Sequence, residues 1–333
     1  MIRIVKMVTT LAVLWSLYWL GAAYVLRSGI GGWFDGRAAQ GWQAEFSDIA
    51  TTGYPLRHVT TLTSPALADP RSGVAWQGDW LSFGSPAIWP GQQTLRFAET
   101  PHYLSYFDQT VAVQANNLTA ELHLTAGVAL EVKRLTLTAG PWEIDDDDDR
   151  LMAAQSLKLA MVQQEQPETY KIDVNATEFA PGSKMRRLLQ SSEALPSELQ
   201  ALELDMTVQF DRVWDRLALE QQRPQPRQIN LKLAEVQWGE VRLFATGALT
   251  VDKAGIPTGE IAVKAKNWRE MLVMAQASGA FPEQLLAPAE RVLGLLAGLG
   301  GNSKSLDINL KFNNGSIAIG PLPIGPAPRI ILR

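Results

Sequence analysis

Alternation of apolar and polar residues is the feature that most constrains the fold of this chain. From Leu202 to Phe210 every second residue is apolar, and the residues between them are charged or polar. The stretch from Leu306 to Phe312 repeats this pattern. Because successive side chains of a strand point to opposite faces, each such segment has one apolar and one polar face. The pattern predicts antiparallel sheet that is covered on one side only.

Many further segments between residues 43 and 319 carry strand patterns, and short connections separate them. This spacing is typical of hairpins and meanders, and it does not suit βαβ crossovers. The sequence has neither the dinucleotide-binding glycine fingerprint nor a phosphate-binding loop. We therefore expect a mainly β fold, in which a long curved antiparallel sheet is accompanied by a few covering helices and one N-terminal transmembrane helix.

Helical spacing of apolar residues appears in two places, near residues 182–191 and over residues 267–299. The second stretch opens on Trp268 and has a wide apolar face, which must cover another apolar surface. We expect Trp268 to pin this helix to the sheet. Pro288 falls inside the stretch and should kink or break the helix.

A hairpin is predicted immediately before this second helical stretch. Residues 241–251 and 259–265 have strand patterns, and residues 252–255 between them have the composition of a turn. Gly255 is the residue expected to adopt a positive φ, because glycine carries no Cβ that would clash there.

An uncharged apolar run occupies residues 7–26 and is flanked by Arg3, Lys6 and Arg27. As a helix it would span about 30 Å, which is the hydrocarbon thickness of a bilayer. Three interpretations fit: an uncleaved signal anchor, a signal peptide cleaved near residues 21–23, and a buried core helix. We expect the anchor, because the apolar region of a signal peptide is usually shorter.

The charges around the run set the expected orientation. Arg3 and Lys6 favour an N-terminus inside the cell, whereas Arg27 and Arg37 oppose that bias. We expect a single-pass protein of the inner membrane with most of its chain in the periplasm. The predicted organisation is a membrane anchor over 1–27, a juxtamembrane linker or helix over 28–40, a periplasmic β-rich domain over 41–320, and a proline-rich tail over 321–333 that is extended, polyproline-like or an edge strand.

Composition excludes several classes of function. The net charge of −4 and the pI near 5.5 argue against a nucleic-acid binder, which needs a basic face. The chain has no cysteine, which excludes disulfides, thiolate metal sites and cysteine nucleophiles. No cofactor is expected.

Candidate catalytic and metal-binding residues are few. The three histidines, His58, His102 and His123, lack the spacing of a metal motif, and no nucleophile elbow occurs. The acidic run Asp145–Asp149 lacks the spacing of a calcium-binding loop. It is predicted to be a solvated loop, with a weak cation site as the alternative. We expect no catalytic residue, no metal site and no enzymatic activity.

Aromatic residues give the one candidate binding feature. Trp76, Trp80 and Trp89 lie close together in the sequence with Phe83, and Trp268 stands at the predicted helix start. Three interpretations apply to the cluster: a packed core at a sheet edge, part of an apolar groove for an acyl chain, or contact with the bilayer. These five residues form the candidate apolar groove.

Four segments together resemble an uncharacterised bacterial family, domain of unknown function 2125. They are Gly53–Leu67, Trp80–Phe97, Gly247–Leu272 and Gly320–Arg329. The resemblance spans most of residues 1–329, and the family has no assigned activity, so it implies no functional residue. The layout is also similar to AsmA-type envelope proteins, which have one N-terminal membrane helix and a long periplasmic sheet. Some of these are linked to lipid movement between membranes and to outer-membrane assembly.

The expected function is that of a non-enzymatic envelope protein that binds or shields lipid or another apolar ligand. One alternative is a structural or interaction module for envelope assembly that holds no ligand. A weaker alternative is a carbohydrate-active enzyme, because its two carboxylates can come from anywhere in a chain. The expected partners are the inner membrane, through residues 7–26, and lipid or envelope proteins, but no nucleic acid.

Overall fold

The computed structural model describes residues 1–146, 149–182, 199–220, 222–271, 303–320 and 322–332, together with 290, 291, 293, 294, 297 and 298. The predicted helix near residues 182–191 lies outside these residues from 183 onward. Much of the predicted helix over residues 267–299 also lies outside them. Residues 268–271 are helical, as are the six isolated described residues between 290 and 298.

The described chain is mainly β, as predicted. Its elements follow in the order α1 Ile2–Ala39, β1 Gln43–Glu45, β2 Asp48–Thr52, β3 Arg57–Thr63, β4 Ala66–Asp69, β5 Val74–Gln77, β6 Trp80–Pro86, β7 Gln92–Phe97, β8 His102–Tyr106, β9 Gln109–Ala115, β10 Thr119–Leu124, β11 Val132–Ala139, β12 Trp142–Asp146, β13 Arg150–Ala154, β14 Ser156–Gln163, β15 Thr169–Pro181, β16 Leu199–Phe210, α2 Leu217–Glu220, β17 Pro226–Trp238, β18 Val241–Val251, β19 Pro257–Lys266, β20 Ser305–Asn313, β21 Ser316–Ile319 and β22 Leu322–Pro326.

The strands pair antiparallel in two connected ribbons. The main ribbon has the order β2-β3-β6-β7-β10-β11-β14-β15-β16-β17-β18-β19-β20-β21-β22. The second has the order β1-β4-β5-β8-β9-β12-β13. The long strand β15 joins them, because it pairs with β14 along most of its length and with β13 at its end. From β3 to β14, consecutive pairs of strands cross from one ribbon to the other.

Prolines mark several of these crossings. Pro65, Pro101 and Pro141 lie between β3 and β4, β7 and β8, and β11 and β12. Proline has no N–H to donate to a ladder, so a long strand is interrupted where one occurs. Asn117, between β9 and β10, has a positive φ of 53° and breaks the strand there by its backbone conformation.

Helix α1 is continuous from Ile2 to Ala39, so residues 28–39 extend the predicted anchor as helix. Its last turns are packed against the start of the sheet. Phe34 is buried and meets Phe46 edge-to-face, with ring centroids 5.0 Å apart. The Arg37 guanidinium lies over the rings of Trp33 and Trp42. These contacts hold the helix together despite the glycines at this end, because tertiary packing overrides weak helix propensity.

The two larger hydrophobic clusters of the described residues lie on the main ribbon. The first contains the buried residues Met161, Tyr170, Val208 and Phe210. The Tyr170 hydroxyl accepts a hydrogen bond from the Trp214 backbone N–H at 3.2 Å, which ties the β16–β17 connection to the sheet. The second contains Ala265, Trp268, Ala297 and Leu306, where described helical residues pack on β19 and β20.

The predicted hairpin is confirmed. Strands β18 and β19 pair along their length, and Gly255 has a φ of +79° in the turn. The Asp252 carboxylate accepts hydrogen bonds from the backbone N–H groups of Ala254 and Ile256, both at 2.8 Å. An aspartate that bonds the backbone two residues ahead is a typical turn former.

The proline-rich tail adds strand β22, which pairs with β21. Of the three predicted forms it takes that of an edge strand, a position where Pro323 and Pro326 are tolerated. The chain then turns back along the ends of earlier strands. The Ile330 N–H donates to the Gly255 carbonyl at 2.8 Å, and Leu332 exchanges two hydrogen bonds with the side chain of Gln225.

Replacement of Gly259 by alanine should destabilise the fold. Gly259 lies in β19 with a φ of +144°, and a Cβ there would collide with the Ala248 carbonyl oxygen of β18. We expect a loss of about 1–3 kcal/mol in the free energy of unfolding, the usual range for overpacking. Thermal unfolding of the full chain in detergent, followed by circular dichroism, measures it. Gly36→Ala is the control, because its Cβ would meet nothing within 4 Å; an equal loss in both variants would contradict the packing argument.

Replacement of Tyr170 by phenylalanine should lower stability and change its dependence on pH. The loss of the hydroxyl leaves the Trp214 N–H without this acceptor, at a cost of about 1–3 kcal/mol. Burial raises the pKa of the Tyr170 phenol above its ordinary value of 10.0. Above pH 10 the unfolded chain therefore releases this proton before the folded chain does, and stability falls as pH rises.

The difference in unfolding free energy between the wild type and Tyr170→Phe should therefore shrink as the pH rises above about 10. Denaturant unfolding at several pH values in that range measures it. Tyr103→Phe, which removes an exposed phenol, is the matched control. A constant difference for Tyr170→Phe would show that the burial of its phenol does not couple to stability.

Candidate functional site

A continuous line of apolar side chains crosses the main ribbon, and we call it the apolar row. Cross-strand partners project from the same face of a sheet, so the pairing register places the row on one face. Its members follow the strand order from β6 to β20: Phe83, Leu95, Ala120, Leu137, Leu159, Val174, Leu204, Ala234, Ala245, Val263 and Ile308.

A bulge in β17 keeps the row intact. The register between β16 and β17 shifts after Asp205, so that Leu204 pairs with Ala234 whereas Met206 pairs with Leu231. An extra residue reverses the alternation of the strand at that point. Leu231 and Ala234, which differ in parity, therefore both face the apolar side.

The apolar row is long and only half-buried. With strands spaced by roughly 4.8 Å, the run from Phe83 to Ile308 measures about 50 Å. Ala120 is buried, and every other member of the row keeps intermediate exposure to solvent. Side chains of a closed core are usually buried completely. The face is therefore partly open to a molecule that can lie against it.

The opposite face of the same strands is polar and carries ion pairs. The Lys171 ammonium lies 2.8 Å from the Asp173 carboxylate and 3.6 Å from that of Asp205 on the neighbouring strand. The hydrogen bond with Asp173 raises the pKa of Lys171. Lys264 and Asp307 form a similar pair across β19 and β20, at 3.6 Å. The ribbon is therefore amphipathic, with a charged outer side and an apolar inner side.

Trp268 closes the apolar face at one end. It is 2% exposed, packs with Ala265 and Leu306, and donates its indole N–H to the Ser303 carbonyl at 3.2 Å. Tyr170 and its cluster close a second region of the face near the β16–β17 connection. Two members of the row, Leu159 and Ile308, pack against these clusters.

The apolar face begins beside helix α1. Trp19 of the helix stacks on His58 of β3, with ring centroids 4.8 Å apart and an interplanar angle of 16°. His58 pairs with Ser85 of β6, and Ser85 lies on the same side of that strand as Phe83. The N-terminal helix thus packs on the face from which the apolar row extends.

The five aromatic residues of the candidate groove do not come together as one group. Phe83 starts the apolar row, and Trp268 covers its far end. Trp80 lies three residues from Phe83 in the same strand, so alternation directs it to the opposite face, where it lines a cavity of about 770 Å³. Trp76 belongs to the second ribbon and stacks on His102. Trp89 is exposed in the β6–β7 connection.

The histidines and the described residues of the acidic run form no shared centre. His58 and His102 are buried, and their Nε2 atoms contact the backbone oxygens of Trp19 and Ala98 at 3.1 and 3.0 Å. Of the acidic run, Asp145 and Asp146 belong to strand β12 and not to a loop, and residues 147 and 148 lie outside the described residues. Arg150 of β13 pairs with Glu143 and Asp145 of β12. Within the described residues, no three His, Cys, Asp or Glu side chains gather in a way that could hold a metal ion.

The candidate groove predicted from the sequence left out the aliphatic members of the row. Leu204, Val263 and Ile308 belong to strands whose alternation is plain in the sequence. They form one surface only because their strands are neighbours in the sheet, and the alternation pattern does not show which strands pair. Ala120, Ala234 and Ala245 carried no signal of their own, because a lone alanine in a strand has no distinctive pattern.

The N-terminal segment has the dimensions of a membrane anchor. Helix α1 is long and apolar enough to cross a bilayer and is almost wholly exposed over its most apolar window. This fits a single-pass anchor.

Comparison with known proteins agrees with the resemblance noted from the sequence segments. A family model matches residues 19–328, and the family is described as an uncharacterized protein conserved in bacteria (DUF2125). No match was found among curated proteins. With nearly the whole of the sheet and the second half of α1 inside the matched region, the chain belongs to the DUF2125 family.

Proposed function

We propose that this protein is a non-enzymatic component of the bacterial envelope that binds or shields lipid, or another apolar ligand, along the apolar row. The single observation that carries the proposal is the continuous, half-buried line from Phe83 to Ile308. Its length of about 50 Å exceeds the roughly 15 Å of one bilayer leaflet, so more than one acyl chain could lie end to end along it.

The position of the helix supports a lipid ligand over a soluble apolar molecule. Helix α1 packs beside the start of the row through the Trp19–His58 contact. A lipid that leaves the bilayer alongside the helix would meet Phe83 without crossing the charged outer face.

We further propose that the anchor lies in the inner membrane and that the sheet lies in the periplasm. Arg3 and Lys6, which precede the apolar run, favour a cytoplasmic N-terminus. A chain without cysteine is indifferent to the oxidising conditions of the periplasm.

Photo-crosslinking tests the lipid proposal. The full chain is reconstituted in phosphatidylethanolamine and phosphatidylglycerol vesicles that contain a phospholipid with a diazirine at the end of one acyl chain. After irradiation, peptide mass spectrometry locates the adducts. We expect adducts on β14–β19 in addition to those on α1, because only a lipid lying on the sheet can reach those strands.

A charge in the row should remove these sheet adducts. Val263→Glu places a carboxylate among apolar neighbours, and we expect a fall of at least about tenfold, since lost contact and desolvation cost more than 1.4 kcal/mol. Ala262→Glu is the matched control, because Ala262 is exposed on the opposite face of the same strand. Adducts confined to α1 in the wild type would reject lipid binding and favour the interaction module.

Labelling in cells tests the orientation. The chain has no cysteine, so Phe107→Cys supplies one thiol, at a residue that is 67% exposed and distant from α1's N-terminal end. A membrane-impermeant maleimide should label it in intact spheroplasts as fully as in lysed ones. Labelling only after lysis would place the sheet in the cytoplasm and reject the periplasmic location.

A further inference from the structure

The two loops that hold helix α1 suggest a second membrane contact. They are residues 53–56, before β3, and residues 87–91, between β6 and β7, and we call them the docking loops. Every residue of α1 from 1 to 14 is exposed, whereas from Trp15 onward one side of the helix packs on the folded chain. The first contacts are therefore made halfway along the apolar run, at Trp15 and Trp19.

The position of these first contacts along α1 determines how deep the docking loops would lie in a bilayer. The uncharged residues before the first contact, 7–14, span about 12 Å, and Lys6 precedes them. A bilayer's hydrocarbon is about 30 Å thick. If α1 crosses it, residues 15–26 must supply the remaining 18 Å or so, and the docking loops are fixed to this part of the helix.

The exposed side chains of the docking loops suit hydrocarbon. Leu56 is 74% exposed, Ile88 is 72% exposed and Trp89 is 66% exposed. Single exposed apolar residues are ordinary on a soluble surface, but a group of them beside a membrane helix marks a membrane contact. Arg57 follows the first loop, and its guanidinium lies close to Gly84, back along β6 from Ile88. A cation in that position can reach the headgroups.

Backbone carbonyls in and beside the docking loops are already hydrogen-bonded within the protein, as a medium without water requires. The helix side chains of Trp15, Tyr18 and Trp19 donate hydrogen bonds to the carbonyls of Pro55, Ala87 and Arg57, at 3.1, 2.7 and 2.9 Å. Each carbonyl left unpaired in hydrocarbon would cost several kcal/mol, and non-helical backbone is tolerated there only where protein satisfies it.

Further bonds pair the loops with each other and with themselves. The Ala87 N–H donates to the Leu56 carbonyl at 2.8 Å, and the Gln92 N–H donates to the Trp89 carbonyl at 3.2 Å. The Tyr54 hydroxyl shares a hydrogen bond with the Ser16 hydroxyl at 2.9 Å. The polar groups named here are thus paired within the protein, and the side chains of Leu56, Ile88 and Trp89 are exposed.

We infer that the docking loops insert beside α1 into the leaflet on the side of the sheet, so that Leu56, Ile88 and Trp89 lie among lipid acyl chains. The inference rests on the proposed membrane anchor and adds a second, loop-mediated contact to it. The bilayer is the committed partner of this surface, because the helix that holds the loops is itself of membrane-spanning length and composition.

Depth measurement with site-specific probes tests the inference. Single-cysteine variants of the full chain are labelled with an environment-sensitive nitrobenzoxadiazole dye and reconstituted in phosphatidylcholine and phosphatidylglycerol vesicles. A second set of vesicles carries bromine atoms in the middle of the acyl chains as quenchers. The test sites are Leu56→Cys and Ile88→Cys, and the helix reference is Leu14→Cys, at an exposed position of α1.

Phe107→Cys is the matched aqueous control. Phe107 is an exposed apolar residue. Its backbone N–H donates a hydrogen bond to the Gly73 carbonyl, in the turn between β4 and β5. In the same turn the Arg71 side chain donates a hydrogen bond to the Gln40 carbonyl, at the C-terminal end of α1. That end lies at least about 30 Å along the helix from Trp19.

The dyes at positions 14, 56 and 88 should emit at shorter wavelength than the dye at 107, and bromolipid should quench them at least about twofold more. Quenching at 14 but not at 56 or 88 would overturn loop insertion and leave the membrane anchor intact. Quenching at none of the four sites would overturn the anchor, and the inserted loops with it.

Discussion

The hydrogen-bonded register of the main ribbon is the constraint on which the rest of the structure depends. Each strand offers an apolar side only in alternate positions, and a slip of one residue would turn that side toward the charged face. Eleven successive strands nevertheless align Phe83 with Ile308. In β17 the bulge at Lys232 lets both Leu231 and Ala234 face the apolar side, which preserves the alignment. The amphipathic character of the ribbon is therefore a property of register as much as of composition.

Much of the fold could be predicted because it depends on local patterns. The alternation in β16, the positive φ of Gly255 and the membrane-length helix are all encoded within a few residues of where they act. The continuation of α1 to Ala39 was not fixed by its own sequence, since the glycines between residues 29 and 36 are poor helix formers. It depends on the contacts of Phe34 and Arg37 with side chains beyond the helix.

The candidate site was harder to predict, because it depends on contacts between residues that are distant in the sequence. Nearness in sequence grouped Trp76, Trp80 and Phe83, but the strand crossing at residues 78–79 sends Trp76 to the other ribbon. Alternation then separates Trp80 from Phe83 by face. Conversely, Phe83 and Trp268 are far apart in sequence and lie on one face, because the antiparallel meander carries that face across the whole ribbon. Pairing of distant strands is the information that a single sequence lacks.

The helix, the docking loops and the apolar row form one connected region. Strand β6 carries Phe83 at the start of the row and ends three residues later at Pro86, directly before the second docking loop. Trp19 packs with Ala87 of this loop and stacks on His58 of the neighbouring strand β3. If the docking loops enter the leaflet as proposed, Phe83 lies near the membrane surface. An acyl chain could then pass from the bilayer to the row without exposure to water, so the depth of the loops and the occupancy of the row should depend on each other.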